Sequence, residues 1–552
     1  MNLSKKYFIS ITAVVVFFTL LPLIALMKET FFQGEGGLSS LIVILSKAKT
    51  YQLIYQSLKL SFFVVVLVLI IAIPLAFIMT KTRFRHWKWL DTVFILPFMT
   101  PPYIGAMGWI LFMQKNGLLM QLFPGTTNLS EKFFSLGGMV FIMSLHLFPT
   151  LYLMIKNSLL NLERSFQDAA KIYEKNSFFS IIKINLPLLV PSILLGSLLV
   201  FVKTLSEFGT PITFGARIGY KVFTTEIHAK LSSWPVDISS ATLLSFILFV
   251  ISMVIWYIQV RLVYKSSYGI SGNTNVSVQL TKNKFKTWLS GVYILALMTL
   301  ALIIPYSTIL LTSLMKVRGG GVTWTNVSFD SYRSILLENA GGGLSAFGNS
   351  LTFAIATTII TSIIGFFAGI YIYKGNKKTQ KFLDFIGLLP NIVPGIVLVI
   401  SLILFWNAPW LPYTVYNTRV MVVVTYSALF LPYTIQYVKS SMLQLPNSIF
   451  EATSVFERNA IISFLRVYFP LLRNGLLTGA MLTFIISMRE LVGSLLILPP
   501  SVETSATFIY RQFEQGNASI GMAMATITIM VTCIFVIVIE RMKRNLGEHS
   551  EN

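Results

Sequence analysis

Two glutamates are the first candidates for chemistry: Glu207 in TLSEFGT and Glu490 in SMRELVG, each set in an otherwise apolar run. A carboxylate at membrane depth is costly and faces a cavity or a partner, so the two are candidate residues of a polar path. The competing reading is structural. Lys203 lies four residues before Glu207 and Arg489 is adjacent to Glu490, so each acid could be neutralised where it sits. Other reactive groups are scarce. The four histidines, at 86, 146, 228 and 549, stand apart, and the one cysteine, Cys533, lies in an apolar run, so neither a metal cage nor a disulfide framework is expected. No G-x-x-x-x-G-K-[ST] phosphate cradle occurs. The glycine runs RGGGV (319–321) and AGGGL (341–343) lack its lysine and hydroxyl and read as joints in an external loop, or as a seat for a partner. The expectation is a chain with no catalytic residue, no metal site, no bound cofactor and no ATP hydrolysis of its own.

The elements that must position these residues are set by composition. The 552 residues are 55% hydrophobic and 12% charged, with a mean hydropathy of +0.74, more apolar surface than a water-soluble domain can hide. The class is an all-α polytopic membrane protein embedded in a lipid bilayer. The net charge of +22 does not point to nucleic acid, because the basic residues sit in short runs between apolar segments, such as KTRFRHWK (81–88) and KGNKKTQK (374–381). Runs long enough to span as helices, about 20 residues each, fall near 7–27, 58–80, 92–113, 135–156, 187–209, 238–262, 288–311, 349–373, 384–406, 420–439, 471–493 and 520–541, twelve in all. The first has a basic start but no small-x-small cleavage site after it, so it reads as a retained signal-anchor helix. Placing both termini in the cytoplasm puts roughly twice as many Lys and Arg inside as outside.

The two halves repeat by residue identity. At an offset of 293, Ser57-Leu58 matches Ser350-Leu351, Leu96-Pro97 matches Leu389-Pro390, and Pro101 matches Pro394. At an offset of 283, Pro149 matches Pro432, Lys156 matches Lys439, Pro187 matches Pro470, and Glu207 matches Glu490. The expected organisation is a six-helix half at 1–265, a polar cytoplasmic linker at 266–286, a second six-helix half at 287–545 and a tail at 546–552.

Two water-facing segments interrupt this pattern at matching places, DAAKIYEKNSFFSIIKINLP from Asp168 and EATSVFERNAIISFLRVYFP from Glu451, inside loops at 163–187 and 446–470. Each has an acid, an alanine and a small residue, an aromatic five positions after the acid, and a proline at nineteen. Read as a helix, Ala169, Ala170 and Tyr173 share one face, as do Ala452, Thr453 and Phe456. Small residues beside one ring form a face another protein can approach closely, and Asp168 and Glu451 suit a helix N-terminus.

This spacing, twice over, resembles the EAA loop of the permeases of binding-protein-dependent ABC importers. The resemblance implies a type I importer permease fold of two pseudo-symmetric halves. It also implies two copies of a cytoplasmic ATPase docking at these loops, an external solute-binding protein, and ATP used by the partner subunit. One departure stands out: the family's glycine six positions after the acid is replaced by Glu174 and Glu457, and both copies carry asparagine two residues later, Asn176 and Asn459. Asparagine tolerates the left-handed region, so these two are expected to make the turn.

A single chain carrying both halves, with SEFGT and VFTTEI in the first and RELVGSLLILPP in the second, resembles the ferric-iron permease group, with aminoalkylphosphonate and thiamine permeases related. That implies a permease in the bacterial inner membrane working by alternating access, its binding protein meeting external loops 210–237 and 494–519. Twelve spans also suit an ion-driven secondary transporter, which would require a chain of intramembrane carboxylates.

Overall fold

The structure, a computed structural model, describes residues 5–33, 38–173, 186–266, 283–321, 323–374, 377–446, 448–449 and 464–548. Its principal helices in the first half are α1 (Lys5–Lys28), α2 (Ala48–Lys81), α3 (Lys88–Met99), α4 (Pro102–Met113), α5 (Leu136–Tyr173), α6 (Leu186–Ser206), α7 (Gly209–Thr213), α8 (Phe223–Ser232) and α9 (Ile238–Ser266). The second half has α10 (Lys284–Ser313, with one wide turn at Thr299–Ile303), α11 (Gly343–Lys374), α12 (Lys377–Ile392), α13 (Gly395–Trp406) and α14 (Arg419–Gln444). It continues with α15 (Phe469–Met488), α16 (Val492–Ile497), α17 (Ser505–Glu514) and α18 (Ala518–Glu548). Among the described residues, ten helices are long and apolar enough to cross a bilayer, and each of two bent pairs would add one crossing.

Those bent pairs fall on two of the twelve expected spans. The runs at 92–113 and 384–406 are broken, with α3 and α4 meeting at 90° and α12 and α13 at 108°. The break falls at the matched prolines: Pro101 (φ −57°, ψ 132°) and Pro394 (φ −55°, ψ 136°) precede α4 and α13 with the same backbone conformation. A proline disfavours helical angles in the residue before it and starts a new helix well. Thr100 is accordingly extended, at ψ 146°.

The halves are built alike. In the first, α2, α5 and α6 pack together; in the second, α11, α14 and α15 do. Small residues spaced by four allow the close approach. In the second half Gly365 and Gly369 on α11 and Gly475 and Gly479 on α15 lie against α14, where a Cβ on Gly365 would come within 2.7 Å of the Thr434 side chain and one on Gly479 within 2.7 Å of its Cα. The first-half positions are Ala72 and Ala76, both fully buried, and Ser192 and Gly196. The halves also interlock: α1 packs on α13 of the other half, and α10 packs on α4. There Gly108 leaves room for Pro305, whose carbonyl oxygen would lie 2.9 Å from an added Cβ.

Candidate functional site

The helix break in the first half creates unpaired backbone carbonyls at membrane depth, where no water satisfies them. Side chains of the second half do so. Arg489 donates to the carbonyl oxygens of Phe98, at 3.1 Å, and of Met99. Beside them the Tyr306 hydroxyl meets the Thr100 hydroxyl and donates at 3.3 Å to Leu96 O, which already accepts from Thr100 N at 3.1 Å. A guanidinium at a helix C-terminus also meets the negative end of its dipole. The position matching Arg489 in the first half is Ser206, so this clasp is not repeated. A cleft beside the break is lined by Pro97, Thr100, His146, Pro305 and Tyr306.

Glu207 and Glu490 occupy equivalent bends just beyond α6 and α15. The competing reading, neutralisation by Lys203 and Arg489, does not take the form of an ion pair, since neither carboxylate has a cationic partner within 4.0 Å among the described residues. Each instead accepts a hydrogen bond from the backbone N–H three residues on. Glu207 accepts from Thr210 N at 3.0 and 3.2 Å, and Glu490 accepts from Gly493 N at 2.9 Å. A carboxylate there caps the short helix that follows. Their backbones are held as well, because the Thr224 hydroxyl donates to Glu207 O at 2.9 Å and the Ser494 hydroxyl to Glu490 O at 2.7 Å. Both side chains remain partly exposed.

The next helix of each half is seated by the repeated serine. Ser57 Oγ accepts from Phe223 N at 3.1 Å, and Ser350 Oγ accepts from Ser505 N at 2.7 Å. Thr225 and Thr507 close the same turn, accepting from Val222 N and Thr504 N, each at 3.0 Å. Outside the spans, Glu226 is 3% exposed between Lys49, at 2.5 Å, and Lys221, at 3.6 Å. Burial pushes its carboxyl up, but the two ammonium groups outweigh burial and hold it below the usual value.

The matched lysines have a matching role. Lys156 Nζ lies 2.5 Å from Asp91 and Lys439 Nζ lies 2.8 Å from Asp384, tying the fourth span of each half to the inner part of its broken third span. Tyr152 donates to Asp91 as well, and Gln436 to Asp384 at 3.3 Å. Sequence reasoning matched the lysines and missed the aspartates, although Asp91 and Asp384 stand at the same 293-residue offset as the prolines.

Of the expected docking residues, Asp168, Ala169, Ala170 and Tyr173 lie on the final turns of α5, which runs unbroken from Leu136. This corrects the placement of Asp168 at a helix N-terminus. LERSFQDAAKIY contains neither proline nor glycine, so nothing stops the helix before it. Glu174, Asn176, Glu451, Ala452, Thr453, Phe456, Glu457 and Asn459 lie outside the described residues, as do the two asparagine turns. The two glycine runs hold specific conformations, with φ of +70° at Gly321, +59° at Gly341 and +80° at Gly342, and Gly341 O accepts from Arg511 at 3.0 Å.

Among known proteins, the chain is 22% identical over 538 residues to the ferric transport system permease protein of Actinobacillus pleuropneumoniae, covering 96% of this chain and 77% of the relative. It is 22% identical over 517 residues to an Fe(3+)-transport system permease protein of Haemophilus influenzae, covering 92% and 93%. A protein provisionally named a 2-aminoethylphosphonate transport permease in Salmonella typhimurium is 22% identical over 259 residues, 47% of this chain and 96% of the relative. One family model, the binding-protein-dependent transport system inner membrane component, matches twice, at 72–266 and 361–544, so that each match carries one broken third span, one Asp–Lys tie and one acid-capped bend. The chain belongs to that family, with both permease halves fused in one polypeptide.

Proposed function

We propose that this chain is the membrane path of an ATP-driven importer of ferric iron, working by alternating access in the bacterial inner membrane with both termini in the cytoplasm. The observation that carries the mechanism is the repeated assembly of α5 and α14, each tied by Lys156–Asp91 or Lys439–Asp384 to a broken helix. One copy of a cytoplasmic ATPase docks at each of the segments 163–187 and 446–470, and hydrolysis belongs to that partner. Asp168, Ala169, Ala170, Tyr173, Glu174 and Asn176, with Glu451, Ala452, Thr453, Phe456, Glu457 and Asn459, form the docking faces. Because α5 is one helix from Leu136 to Tyr173, displacement of its cytoplasmic end moves Lys156 and pulls on α3. Energy from ATP crosses to the path only through such contacts.

An external solute-binding protein, the partner that the family's description implies, delivers the cargo; in this reading it meets the loops 210–237 and 494–519. Iron is favoured over aminoalkylphosphonate or thiamine by relatives named for ferric transport that span nearly all of this chain. An ion-driven carrier is disfavoured because Glu207 and Glu490 are committed to backbone N–H groups. Proteoliposomes holding the chain and its binding protein, with and without the ATPase, test the reading. Labelled ferric iron accumulates only when ATPase and ATP are both present, and uptake driven by an ion gradient without ATPase refutes it.

A further inference from the structure

Around Phe98, at the end of α3, three side chains that can carry positive charge converge from different elements. Lys203 Nζ, in the last turn of α6, lies 5.3 Å from the centre of the Phe98 ring. The His146 ring centre lies 6.0 Å from that ring, and Arg489 donates to the Phe98 carbonyl. Lys203 and Arg489 act on each other electrostatically, and both act on His146. All three side chains keep partial exposure. Among the described residues Lys203 has no carboxylate partner and no hydrogen bond; its ammonium rests against the face of Phe98. The acids that could have served it are committed elsewhere, Glu207 to Thr210 N and Glu490 to Gly493 N.

An ammonium at membrane depth without a counter-charge is expensive, and a second cation beside it raises the cost. A lysine in a last turn could reach toward the headgroups, yet this one turns onto the ring of Phe98, the residue whose backbone carbonyl Arg489 holds. Such a pair attracts a passing anion and repels a bare multivalent cation.

We propose that Lys203 and Arg489 form an oxyanion subsite of the translocation path, filled in transit by a carboxylate or phosphate oxygen of the cargo. Lys203 supplies the free donor, while Arg489, fixed on the α3 carbonyls, supplies field. For iron, which rests on the reading above, the consequence is that the metal crosses as a net-anionic complex with oxygen ligands, the ligand type a hard ferric ion prefers.

The test uses proteoliposomes of the complete importer with its ATPase and binding protein, supplied with 55Fe(III) together with [33P]phosphate or [14C]citrate, and with each anion alone. Iron and one labelled anion entering together, with entry of both cut about tenfold or more by Lys203→Met and largely kept by Lys203→Arg, support the subsite. The labelled anion entering without iron, and lost in Lys203→Met, supports the subsite while removing iron as the cargo. Iron entering with neither anion, or uptake by Lys203→Met equal to that of the parent, overturns it. Double labelling of the parent protein decides the question even where a variant folds poorly.

Discussion

Replacing Lys439 by Met severs the tie between α14 and α12 while keeping most of the side-chain volume. The carboxylate left behind, Asp384, would retain only Gln436, at 3.3 Å. In the native pair the ammonium and carboxylate keep 24% and 28% of their exposure. That places the loss between an exposed pair, about 0–1 kcal/mol, and a buried one, about 3–5 kcal/mol. About 2 kcal/mol is therefore expected. The counterpart Lys156–Asp91 is shorter, at 2.5 Å against 2.8 Å, and its lysine is only 12% exposed, so Lys156→Met should cost more. If the tie transmits motion from the docking segment to the broken helix, losing about 2 kcal/mol of coupling lowers transport per ATP by up to about thirtyfold. The assay is the ratio of solute taken up to ATP hydrolysed in proteoliposomes, for Lys439→Met, Lys156→Met and the charge swap Asp384→Lys with Lys439→Asp. The swap should recover part of the ratio. An unchanged ratio in the Lys156→Met, Lys439→Met double variant refutes transmission through these pairs and leaves them as packing contacts.

Gly479→Val, whose first added carbon would lie 2.7 Å from the Thr434 Cα, should destabilise the second half by about 1–3 kcal/mol and lower the melting temperature in detergent. Arg489→Met leaves the Phe98 and Met99 carbonyls without their donor, a loss of about 1–3 kcal/mol, again seen as a lower melting temperature. Ser350→Ala removes the acceptor for Ser505 N and should cost about 1 kcal/mol, with faster amide exchange confined to the start of α17. Burial works against ionising Asp237, but the hydroxyl and N–H of Ser240 and the Lys230 ammonium bring its carboxyl down to about 2. That is below the unfolded value near 3.9, so its contribution is complete above about pH 4 and is lost as pH falls through about 2. Asp237→Asn should flatten that part of the pH dependence of thermal unfolding.

Much of the fold is legible in residue identities. The serines, prolines and lysines matched between the halves each act twice in the same physical way. Ser57 and Ser350 cap a helix, Pro101 and Pro394 break one, and Lys156 and Lys439 bind an aspartate. Hydropathy could not distinguish a straight span from a bent pair, because the apolar run is the same whichever way the chain turns at the proline. Local charge was misleading at Glu207 and Glu490, where the nearest cations in sequence turn elsewhere and backbone N–H groups take the carboxylates. The four-residue spacing of Gly365–Gly369 and Gly475–Gly479 was available in the sequence, but only the packing against α14 gives it meaning.

The sequence by itself therefore determined the membrane class and the duplication, since these follow from composition and from residue identity at fixed offsets. Which half clasps which was decided by tertiary structure. Arg489 reaches Phe98, 391 residues away, and α1 and α10 exchange sides because each half's first helix packs on the other half's broken helix. A buried donor takes whichever carbonyl the packing leaves unpaired, and sequence distance has no bearing on that.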